Sequence, residues 1–113
     1  MLDLSQPAER IALQKKLAIL SQDNTLEIIY RLNQEPTYMK ALAEEIGIPY
    51  TTVQKRVKEL ADANLVQIIK QTDELTGKSI RKVRVNRFNI QINTYVINQL
   101  MVENPIHLII PEK

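Results

Sequence analysis

At Asn64 the apolar spacing of the chain changes from a helical period to alternation, and this change limits the fold more than any other feature of the sequence. Upstream, Val53, Val57 and Leu60 recur at i, i+4 and i+7, the stripe of a helix that buries one face. Downstream, "LVQIIKQ" and "SIRKVRVNRF" are rich in β-branched residues, while "TDELTGK" between them holds acids and Gly77. That pattern predicts two strands joined by a hairpin loop.

Three further helices are expected ahead of Val53. "SQPAERIALQKKLAIL" places Pro7 and Ala8 in a first turn, followed by Ile11, Leu13, Leu17 and Leu20, with Ala8, Ala12 and Ala18 as small fillers, so this helix has two apolar faces. Asn24 with Glu27 three residues later makes a capping box for a second helix, whose Leu26, Ile28, Ile29 and Leu32 run towards Asn33. After Pro36, "TYMKALAEEIG" has Thr37 as its cap, Met39, Leu42, Ala43 and Ile46 on one face, and Gly47 where a left-handed residue closes a helix. Helix, turn, helix and hairpin in that order predict a mainly α chain with a small β-hairpin, a winged helix-turn-helix. We expect one such domain over residues 1–113: an N-terminal helix to residue 21, a helical core over 22–64, a wing hairpin over 65–89, and a C-terminal helix and tail over 90–113.

The fourth helix, in "IPYTTVQKRVKELADANLV", has a polar face that solubility alone would not choose. Stepping about 100° per residue from Val53 puts Thr51, Lys55 and Lys58 on the opposite side, with Thr52 and Gln54 flanking them. Threonine brings a methyl and a hydroxyl, glutamine an amide that bonds adenine with two hydrogen bonds, and lysine or arginine the donors that suit guanine and phosphate. Glu59 and Asp62 oppose the helix dipole near the C-terminal end, but there they keep negative charge off the half that would enter a groove. Thr51, Thr52, Gln54 and Lys55 are therefore expected at base edges, with Tyr50, Arg56 and Lys58 nearer phosphate or the groove rim. On the second strand, Val83 and Val85 point to the core and leave Lys82 and Arg84 as the outward pair for phosphate.

Charge agrees with a localised site for a polyanion. The chain carries a formal net charge of only +2, yet residues 50–89 hold nine Lys/Arg against four Asp/Glu. The expected partner is double-stranded DNA.

Other classes of function find little support. With 113 residues, 44% of them hydrophobic, the chain can bury one modest core. The absence of cysteine removes disulfides, thiolate metal sites and cysteine nucleophiles together and fits a reducing, cytoplasmic setting. No apolar run approaches the roughly 20 residues of a membrane span. Two glycines make no phosphate-cradling loop, and no nucleophile stands beside a base in a recognisable motif, so we expect neither an enzyme nor a cofactor. His107, flanked by apolar residues in "PIHLIIP", reads as a packed or solvated residue rather than a ligand.

From Leu17 to Val85 the chain resembles the ArsR-type winged helix-turn-helix repressors. "ILSQDNTLEIIYRL" is similar to that family's first core helix and "ALAEEIGIPYTTVQKRVKELADANLV" to its DNA-binding motif, with Ala43, Gly47 and Val53 at the spacing of the small, turn and seating residues. The resemblance implies a dimeric, operator-binding transcriptional regulator. The chain departs from the family at Pro49, where a serine-like cap is usual. It also lacks the Cys and His ligand pairs of the family's metal sensors, having no Cys and a single His, so no metal switch of that type is expected.

The tail carries more apolar surface than a small winged helix needs. "NTYVINQLMVEN" has Asn93 as a cap and Tyr95, Val96, Ile97, Leu100 and Met101 along it, and "IHLII" follows between Pro105 and Pro111. Together with the two-faced first helix it predicts a homodimer interface, although folding of the tail over its own core uses the same residues. The rival to a sequence-specific regulator is a winged helix serving as an interaction module in a larger transcription, replication or segregation assembly.

Overall fold

The computed structural model describes residues 4–102. In chain order its elements are α1 (Pro7–Leu20), α2 (Thr25–Gln34), β1 (Thr37–Tyr38), α3 (Met39–Ile46), α4 (Tyr50–Asp62), β2 (Val66–Thr72), β3 (Ser79–Val85) and α5 (Thr94–Val102). They divide into two units, one from Lys16–Phe88 and one from the flanking segments up to Lys15 and from Asn89 onward.

The Lys16–Phe88 unit is a helix-turn-helix with a three-stranded antiparallel sheet in the order β1-β3-β2. Its core joins Ile28 and Leu32 of α2, Leu42 and Ala43 of α3, the α4 stripe of Val53, Val57 and Leu60, then Leu65, Val66 and Val83. All three members of the α4 stripe are fully buried, as the helical spacing predicts. Helix α4 ends in a Schellman motif: Asn64 takes the left-handed conformation at φ 64°, the Leu65 amide donates to the Leu60 carbonyl and the Asn64 amide to the Ala61 carbonyl, each at 2.9 Å. This closure turns the chain into β2 and seats Leu65 and Val66 in the core, so the change of period at Asn64 is also the change of element.

Three local expectations are corrected. Asn24 stands at the N-terminus of α2 but in the left-handed region (φ 73°) and makes no side-chain cap bond, so the capping box does not form. The hydroxyl of the buried Thr25 ties the turn instead, lying 2.8 Å from the Gln22 carbonyl and 3.2 Å from that of Leu20. Thr37 is not a cap either: it lies in β1, buried and paired with Val83, and Tyr38 takes the cap position of α3 with extended backbone. On α2, Leu26 is 62% exposed, because Ile28 and Leu32 already fill the inward stripe. Gly47 closes α3 at φ 81° with its amide on the Ala43 carbonyl, as its position requires.

In the flanking unit α1 buries Leu13 and leaves Ile11 exposed. Asn93 caps α5, its Oδ1 accepting the Val96 amide at 2.8 Å. Leu100 is buried, whereas Tyr95 and Ile97 stay exposed. His107 and the stretch between Pro105 and Pro111 lie outside the described residues. Among the described residues no helix is long and apolar enough to cross a membrane.

Candidate nucleic-acid interface

Pro49 sets the register of α4. It occupies the N-cap position at φ −59°, and its carbonyl accepts the amides of Thr52 (3.0 Å) and Val53 (3.1 Å), so the helix begins at Tyr50 without a side-chain cap. Proline loses nothing here, since its missing N–H precedes the helical ladder. With the start at Tyr50 and the Val53 stripe inward, Thr51, Lys55 and Lys58 are exposed on the far side, and Thr52 and Gln54 are half-buried beside them. Tyr50 is exposed at the opening turn. Together these side chains offer hydroxyls, an amide and ammonium groups along one side of a helix, with no carboxylate between them.

Arg56, expected nearer phosphate or the groove rim, is engaged within the chain. Its Nε donates to the Asp23 carbonyl and its Nη1 to Glu59 Oε1, both at 3.0 Å, and the side chain is only 15% exposed. A planar guanidinium can satisfy two acceptors set at an angle, and here it ties α4 to the turn before α2. Glu59 thereby acquires an i, i+3 partner on its own helix.

A second bridge holds α2 to α3, the helix before α4. Arg31 pairs with Glu45 through both the Nε–Oε1 and the Nη2–Oε2 contacts, and its Nη1 donates to the Glu35 carbonyl at 3.1 Å. The hydrogen bond from Arg31 holds the Glu45 carboxyl below its ordinary range, and the same bond raises the Arg31 guanidinium above its own.

On the hairpin, Lys82 and Arg84 occupy the outer sheet face, as the alternation predicts, but both have neighbours there. Lys82 lies over the Tyr38 ring at 5.6 Å from its centroid, and Arg84 donates to Gln67 directly across the strand pair. Arg81 and Lys70 face each other across β3 and β2 on the opposite side. Nothing in the charge pattern singles out Lys70, although its alternation with Val66 and Ile68 is enough to place it on that side.

The family model for the sugar-specific transcriptional regulator TrmB matches residues 29–87, from within α2 to just past β3. The chain belongs to the TrmB family. TrmB membership covers the helix-turn-helix and the hairpin together, and agrees with the ArsR-type resemblance at the level of a winged-helix regulator. Two solved structures share the TrmB chain's fold. One, from Methanosarcina mazei Go1, is described as a "possible transcriptional regulator"; it is 17% identical, with a TM-score of 0.55 over 77% of this chain and 70% of its own. The other, a fragment from Mycobacterium bovis described as a "possible transcriptional regulatory protein", is 16% identical, with a TM-score of 0.57 over 88% of this chain and 92% of its own. Comparison with curated proteins gives no match.

Proposed function

We propose that this chain is a sequence-specific, double-stranded DNA-binding regulator that acts as a cytoplasmic homodimer and represses transcription, with α4 as its recognition helix. The observation that carries the reading is the exposed side of α4: Thr51, Lys55 and Lys58, flanked by Thr52 and Gln54, stand behind a fully buried stripe. Base-reading and phosphate-binding side chains held on a rigid helix are what groove entry requires. In this reading Thr51, Thr52, Gln54 and Lys55 meet base edges, and Tyr50 and Lys58 meet the groove rim. The sugar named in the TrmB description makes a sugar the first signal to test for release of the duplex.

The deciding measurement is duplex binding by the whole chain as salt is varied. A log–log slope that grows with the number of phosphate contacts supports the reading, and affinity independent of salt removes it. Dimerisation through the N-terminal helix and C-terminal segment predicts twice the chain mass in light scattering, and a folded monomer at high concentration contradicts it.

One observation favours the interaction-module reading. Leu26 and Tyr30, one helical turn apart on α2, are 62% and 73% exposed and form an open apolar groove with Ile46. A protein that binds no duplex at any salt, yet folds, belongs to this second class.

A further inference from the structure

On the helix-facing side of the hairpin the cross-strand pairs change character in order. Val66 stands opposite Val85 and Ile68 opposite Val83, in or against the core shared with α4; then come Lys70 opposite Arg81 and Thr72 opposite Ser79. The face therefore passes from apolar to cationic to hydroxyl as it leaves the core. Two like charges directly opposite each other destabilise a sheet. Among the described residues neither the Lys70 nor the Arg81 side chain has an ion pair or hydrogen bond to offset that repulsion. Neither acid of the hairpin loop pairs with them: Asp73 is bound into the turn, where Oδ1 accepts the Leu75 amide at 2.9 Å and its backbone pairs with Lys78 and Gly77, and among the described residues no ion pair joins Glu74 to either cation.

We propose that the Lys70–Arg81 pair is a phosphate seat, and that this pair, rather than Lys82 and Arg84, joins the hairpin to the DNA backbone. The inference rests on the DNA-binding reading above. A phosphate between the two cations removes their repulsion, with the arginine fork giving two hydrogen bonds and the lysine a point charge. Thr72 and Ser79 on the next pair supply hydroxyl donors to the same strand of phosphates. By contrast, Lys82 over Tyr38 and Arg84 on Gln67 are already engaged on the other face.

Two measurements on the full chain test this. In duplex titrations over a salt series, K70Q/R81Q lowers the slope of log affinity against log salt by about 0.9 for each phosphate no longer neutralised, and K82Q/R84Q leaves it unchanged. Without DNA at low salt, Lys70→Gln raises the melting temperature by about 1–4 °C, because it relieves the repulsion, and added salt narrows the difference. An unchanged slope for K70Q/R81Q while the wild type binds overturns this inference alone, as does a fall confined to K82Q/R84Q. A lower melting temperature for Lys70→Gln shows that the pair is not repulsive and overturns its premise. If the wild type shows no salt-dependent binding, the DNA reading fails first and this inference falls with it. Lys70 and Arg81 are both exposed, and the single variants K70Q and R81Q keep the titration informative should the double variant fold poorly.

Discussion

Arg56 and Asp23 are 33 residues apart, yet the Arg56 guanidinium donates to the Asp23 carbonyl at 3.0 Å and so holds the middle of α4 against the turn between α1 and α2. Its second bond, to Glu59, fixes the guanidinium in that direction. In this arrangement the guanidinium braces α4, and on the proposed reading its role is to position that helix for the duplex. Arg56→Ala is expected to reduce the preference for a specific duplex over a random one while leaving the salt slope of binding unchanged. Titrations of both duplexes over a salt series check this; a slope lower by about 0.9 would instead show that Arg56 neutralises a phosphate.

Gln54 is the one amide on the exposed side of α4, half-buried beside Lys55. Replacement by alanine is expected to cost about 1–3 kcal/mol of discrimination between operator and mismatched duplex if the amide bonds a base with both ends. Competition binding reads this directly, and an equal loss on all duplexes would assign Gln54 to the backbone.

Leu60 is fully buried at the centre of the core shared by α2, α3, α4 and the sheet. Leu60→Ala removes that packing and leaves a cavity, for an expected loss of about 2–5 kcal/mol. Urea denaturation followed by circular dichroism gives the value, with the midpoint falling and the m-value unchanged.

The Arg31–Glu45 pair predicts a dependence on acid. Because Glu45 has its folded-state pKa depressed, its contribution to stability is present above the unfolded carboxylate pKa and is lost as pH falls through the lower folded value. Both side chains reach solvent, so the effect is small and salt-sensitive. Glu45→Gln should therefore melt slightly below wild type near neutral pH, and the two curves should converge in acid. A difference that persists below the carboxylate range would mean that the pair works through packing rather than charge.

The helices, the hairpin and the inward stripe of α4 were legible in the chain because each depends on neighbours a few residues apart: the period of Val53, Val57 and Leu60, the alternation after Asn64, and Gly47 at a left-handed position. Pro49 alone was enough to show that the start of α4 would be unusual, and its carbonyl, set at the first turn, settled where. The exposed side of α4 followed from the same period.

What only the tertiary structure decided involves partners far apart in sequence. Thr37 became a strand residue because the edge of β3 at Val83 was beside it, and an edge with open hydrogen bonds outweighs a local preference for capping. Arg56 turned inward because an unclaimed carbonyl at Asp23 lay within reach once α2 and α4 had packed. Alternation alone divides the hairpin cations between two faces; which of them have partners depends on Tyr38 lying beside Lys82 and on the β2–β3 register, which sets Lys70 against Arg81. Periodicity along a chain states which way a side chain points, whereas the partner it meets depends on how distant segments pack, and that is a property of the folded chain.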